Sequence, residues 1–198
     1  DRGESAEGAA ELEQAMTIGA QINDNWSLTN GAVVLAGIDI SKGDWEAARQ
    51  RLAATAARLP PDDFPIGEAN VLAWLSLCEG HLGHVAERDR AMARARALRS
   101  RITSSYTVFA ADLALAQLRG IVDGRAAGIA ALESLADDAE RRSWLALALE
   151  ARLPLLPLLQ QSDAPMAEEL RNRTESAARR YGFKWVSTRL AKSGGTEQ

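Results

Sequence analysis

Cys78, His81 and His84 stand three residues apart in the segment CEGHLGH, where metal-ligating side chains crowd together. One thiol and two imidazoles at that spacing could hold zinc or copper, because residues three apart share a helix face. Gly80 and Gly83 point instead to a helix end, and Glu79 is the one further donor nearby. The same segment therefore also reads as a plain turn between helices, and no metal or other cofactor is expected. Cys78 is the single cysteine, so an intrachain disulfide is excluded and a reducing, cytoplasmic setting is expected.

Arginine supplies the second candidate chemistry. Arg88, Arg90, Arg94, Arg96, Arg99 and Arg101 face one acid, Asp89, over a single predicted helix. At helical spacing Arg90, Arg94 and Arg101 fall in one narrow sector, and Arg88, Arg96 and Arg99 lie nearly opposite. Ala91, Ala95 and Leu98 fill the apolar gap. The first cluster could receive a phosphate or an acidic peptide. The competing reading is a solvated face whose arginine stems lie along apolar surface. A second basic stretch runs from Arg171 to Lys192, against Glu175 alone, whereas the first twenty-four residues carry six acids and one arginine. This asymmetry could align copies head to tail, or steer a charged partner, or be plain charged surface.

Five tryptophans, Trp26, Trp45, Trp74, Trp144 and Trp185, form the third group. Trp74 and Trp144 sit in apolar runs and are expected to pack between helices. Trp26 in NDNWSLTN and Trp45 lie near predicted helix starts. Trp26, with Asn30 one turn on, is the first choice for an exposed binding contact, since tryptophan is enriched at interface hot spots.

Catalytic constellations do not stand out. Both histidines fall in one turn, which supports a Ser-His-Asp arrangement poorly, and no glycine-rich phosphate loop follows a strand pattern. The acid pairs Asp62-Asp63 and Asp137-Asp138 are expected in inter-helix loops, as caps and solvating groups. The net charge of −4 and pI near 5.3 argue against direct nucleic-acid binding. The greasiest run, Trp144 to Leu159, holds Glu150, Arg152 and two prolines and is too short for a membrane span. No signal peptide is evident, and the opening at Asp1 without a methionine is compatible with a longer parent chain.

The elements that carry these residues follow from an internal repeat. Turn-like Gly3, Gly43 and Gly83 recur every 40 residues, followed by Asp123-Gly124 and Ser162-Asp163. Leu12, Leu52, Met92 and Leu132 share one phase of that period, and Leu35, Leu75, Leu115 and Leu155 another. Gly8, Ala48 and Gly128 form a column of small residues broken by Arg88, and Ala15, Thr55, Ala95 and Leu135 another, in which Thr55 replaces the usual alanine. Within one copy, Asp44 can cap a helix opened by Trp45. Ala48, Leu52, Thr55 and Leu59 then line one face, and the helix stops at Pro60-Pro61. Pro154 and Pro157 should break the later helix near Leu153. Each hairpin has one greasy stripe it cannot hide alone, so neighbours should stack. The fold predicted is all-α: a right-handed superhelical solenoid of four to five antiparallel hairpins, a single domain turning near 43, 83, 123 and 163, with a cap over about 182–192.

Leu35, Ala36, Gly43, Ala48, Leu52 and Pro60 resemble the tetratricopeptide (TPR) pattern in its usual order: large, small, turn glycine, small, large, proline. The longer period is similar to the extended TPR-like repeats of bacterial signalling proteins, such as the sensor domain of MalT-type transcription activators. The resemblance implies a sensor or scaffold module, with any catalytic or DNA-binding activity in another domain, and first-helix residues lining the concave side. The function expected is therefore non-catalytic binding of a protein or peptide partner within a signalling or transcriptional regulator. The alternative is the solenoid of a MalT-like regulator that receives a small-molecule effector, and a third reading is an enzyme of unknown chemistry. A closed, aromatic-lined pocket would favour the small molecule, and an open groove of mixed polarity the peptide.

Overall fold

The computed structural model describes residues 2–103 and 106–193, and the side chains of 7–103 and 106–191. Among the described residues there are ten helices and no strand. They are α1 (Arg2–Ile22), α2 (Asn25–Ser41), α3 (Trp45–Ala56), α4 (Pro65–Leu82) and α5 (Val85–Arg99). Then follow α6 (Phe109–Val122), α7 (Arg125–Arg141), α8 (Leu145–Gln160), α9 (Ala164–Tyr181) and α10 (Lys184–Ser193). No helix is long and apolar enough to cross a membrane among the described residues.

Local chemistry sets several of the helix ends. Asp24, Asp44 and Asp163 each accept hydrogen bonds from backbone N–H groups at the start of α2, α3 and α9. Each satisfies donors that no intrahelical carbonyl can reach. Gly83 closes α4 in the left-handed region at φ +78°, a conformation a side chain would disfavour. Short turns at 42–44, 83–84, 123–124 and 161–163 separate the helices around the four predicted positions.

Three expectations are corrected. Gly3 opens no turn, because α1 runs from Arg2. Asp137 and Asp138 lie inside α7, where Asp138 pairs with Arg141 and Arg142 at 3.4 and 2.8 Å instead of capping a loop. α8 passes through Pro154 and Pro157 without a break. Each proline costs a backbone bond, but Leu149, Leu155, Leu156 and Leu159 are buried along the same helix, and burial of about 1.5–3 kcal/mol per leucine outweighs that loss.

The chain divides into two compact units, 1–115 and 116–198, with the boundary inside α6. In the first, α1 packs on α2, α2 on both α3 and α4, and α4 on α5. Its core contains Ala36, Ala48, Leu52, Val71 and Cys78, with Trp45 and Trp74 packed against them. Asn70, buried in α4, ties in the next helix: its Nδ2 donates to the Thr107 carbonyl at 3.2 Å and its Oδ1 accepts from Ala111 N–H at 3.1 Å. In the second unit, α7 packs on α8, α8 on α9, and α10 on both α8 and α9. Leu149, Leu156, Ala178, Val186 and Leu190 form its core.

Candidate functional site

The α3–α4 connection, residues 57–64, brings Trp26, Arg94 and Arg101 of the sequence candidates to one segment. Trp26 is half exposed and meets the Phe64 ring edge-on, centroids 6.0 Å apart. Asn30 turns back along α2 and donates to the Trp26 carbonyl at 3.1 Å. Arg94 and Arg101 of the arginine cluster both reach Asp62 on the same segment, at 3.2 and 2.8 Å. Arg94 also grips Glu68 through Nε at 2.9 Å. The Arg101 hydrogen bond leads the interactions that hold Asp62 below the usual carboxylate range. Arg94 and Arg101 are thus internally neutralised, while Arg90 makes no ion pair among the described residues. Of the opposite sector, Arg99 pairs with Asp112 at 2.7 Å and Arg88 with Asp89 at 2.8 Å.

Cys78, His81 and His84 point to three different environments. Cys78 is buried in the first core, and burial pushes its thiol up to about 12. His81 stacks on Trp45, ring centroids 3.6 Å apart, and loss of water on the covered face lowers its pKa. His84 lies beyond the end of α4 and binds the buried carboxylate of Glu79 through Nδ1 at 2.6 Å. Arg49 approaches Glu79 from α3 at 3.8 Å and holds Glu46 at about 2 by hydrogen bonding. No group of three metal-ligating side chains gathers among the described residues.

A cleft of about 840 Å³ lies between α1 and α3 in the first unit. Leu28 of α2 forms part of its floor. Glu13, Met16, Thr17 and Gln21 stand on one wall, and Gln50, Arg51, Thr55 and Arg58 on the other. Glu13 and Arg51 face each other across it at 3.5 Å, and Arg51 is braced from behind by Asp39 at 3.2 Å. Thr17 and Thr55 donate their hydroxyl protons to carbonyls of their own helices, at 2.9 and 3.0 Å. Gln21 and Arg58 have side chains with no hydrogen-bond partner among the described residues, so one end of the cleft offers an amide and a guanidinium to a ligand. No aromatic side chain lines it.

Comparison of the chain with protein-family models, with curated proteins and with solved structures gave no match.

None of the sequence candidates lines the cleft. Its walls belong to α1 and α3, the second helices of the predicted hairpins, and not to the first helices that the TPR-like pattern had put forward. The missed residues carry a weak signal: Thr55 stands where the repeat pattern usually has alanine, and it is a wall residue of the cleft. Trp26 is exposed as expected, Trp74 packs against the first core, and Trp144 is half-buried with Arg142 over its ring at 5.1 Å.

Proposed function

We propose that this chain is a non-catalytic binding module, a TPR-like stack of helix hairpins within a signalling or transcriptional regulator. Its partner is a protein segment, held as a peptide in the α1–α3 cleft. The cleft supports this reading because it is open, mixed in polarity and free of aromatic lining. Small flat metabolites are usually gripped by enclosed apolar and aromatic walls. A peptide asks for a long groove with polar groups spaced along it, which Glu13, Arg51, Gln21 and Arg58 provide. Arg58 calls for a carboxylate in the partner, and a charge-assisted bidentate contact there would add both affinity and orientation.

Selection from a random peptide library tests the reading. Enriched peptides should share an acidic residue. Arg58→Glu should weaken them by about tenfold or more, about 1.4 kcal/mol. Ala54→Trp, which fills the cleft between Met16 and Leu28, should abolish binding with the helical circular-dichroism spectrum unchanged. Enriched peptides indifferent to both substitutions would sink the assignment.

A further inference from the structure

The first and last helices each leave one face to solvent, and the two faces are opposite in charge. On α1, Glu7, Glu11, Ile18 and Ile22 fall within a sector of about 60° at 100° per residue. All four are exposed, Ile18 by 50% and Ile22 by 67%. This sector is separate from the α1 residues that line the cleft, such as Glu13 and Thr17. The sequence has no basic residue between Arg2 and Lys42, so nothing local neutralises this face. Asp1 and the side chain of Glu4, two further acids of the N-terminal segment, lie outside the described residues.

The end of α9 and the outer side of α10 carry the complement. Tyr181 is 55% exposed and Trp185 38% exposed. Arg180 lies over the Tyr181 ring at 5.4 Å and Arg189 over the Trp185 ring at 5.6 Å. Lys184 is exposed between them. No acid occurs between Glu175 and Glu197. The side chain of Lys192, the last base of this stretch, lies outside the described residues.

We propose that the α1 face of one copy docks on the α10 face of a second copy, with Ile18 and Ile22 against Tyr181 and Trp185. Glu7 and Glu11 then meet the surrounding arginines and Lys184. Exposed aliphatic and aromatic side chains rimmed by charge mark interaction surfaces. The opposite signs favour this pairing over α1 on α1 or α10 on α10, where like charges would meet. The two faces are different surfaces, so the contact is heterologous, and each added copy presents a fresh face to the next. The α1 face is roughly 22 Å long at 1.5 Å per residue, which is short for a stable interface, so association is weak and concentration-dependent. Its charges are exposed and screened within about 8 Å at physiological ionic strength, so salt weakens it.

Sedimentation velocity on the whole chain tests this. The average mass should climb with concentration from 21.3 kDa past that of a dimer, and fall back in high salt. Two variants block one face each: Ile18→Lys with Ile22→Lys, and Lys184→Glu with Trp185→Ser. Arg180→Glu with Lys184→Glu replaces the second variant if loss of Trp185 unfolds the protein. Each variant alone should stay monomeric. An equimolar mixture should form a dimer and stop there, because only one intact pair of faces remains. A wild-type chain that stays at 21.3 kDa at every concentration overturns the proposal, as does a closed dimer controlled by only one of the two faces.

Discussion

A Cβ placed on Gly128 would come within 2.6 Å of the Gly120 Cα, so α6 and α7 touch backbone to backbone at this point. The reverse is not true. A Cβ on Gly120 meets its nearest neighbour, the Gly128 Cα, at an ordinary 3.6 Å. The small-residue column through Gly8, Ala48 and Gly128 therefore has a physical cause at Gly128: two helix axes too close for a side chain.

Gly128→Ala should destabilise the protein by about 1–3 kcal/mol, because the clash is with backbone and cannot be relieved by a rotamer change. Gly120→Ala should be neutral, or stabilising by up to about 1 kcal/mol from helix propensity. Urea unfolding of the pair checks the asymmetry. Equal effects of the two substitutions would contradict the geometry.

Asn70 gives a second expectation. Its side chain satisfies one N–H and one C=O near the start of α6 from a position in α4. Asn70→Leu should cost about 1–3 kcal/mol for the groups left without a partner, whereas Asn70→Asp keeps the acceptor for Ala111 and should cost less. Amide exchange at Ala111 should accelerate in the leucine variant before it does elsewhere. Unchanged protection there would mean that the clamp does not hold α6.

Glu150 sets a pH dependence. Burial raises its pKa above the ordinary 4.5, and Arg189 only partly opposes this. The folded state thus binds this proton more tightly than the unfolded state does. Its stabilising effect is complete below pH 4.5 and is lost as pH rises through the raised value. Glu150→Gln should therefore raise the urea midpoint at pH 7 relative to wild type, with the advantage shrinking as the pH is lowered toward 4. A variant less stable than wild type at pH 7 would show that the Arg189 attraction dominates.

The sequence could be read wherever the deciding interactions are local. The turns near 43, 83, 123 and 163 follow from glycine or aspartate beside amphipathic helices, and Asp44 caps α3 as its position next to Trp45 requires. Trp26 could be picked as exposed because its neighbours are polar. The errors arose where a local rule met a packed neighbourhood. Pro154 and Pro157 break isolated helices, yet here the leucines around them are buried on both sides. The arginine cluster looked available because its partners, Asp62 and Glu68, lie more than twenty residues away.

By itself, then, the chain's residue order settled that it would be helical and that helices would turn near 43, 83, 123 and 163, because capping, turn conformation and the 3.6-residue period act within a few residues. Only the tertiary structure decided that α1 and α3 flank a cleft over Leu28, that Glu13 reaches Arg51 across it, and that Gly128 presses on Gly120. Those contacts depend on how far one helix slides along the next, a quantity set by loop lengths and side-chain volumes summed over the packed helices, and no single segment encodes it.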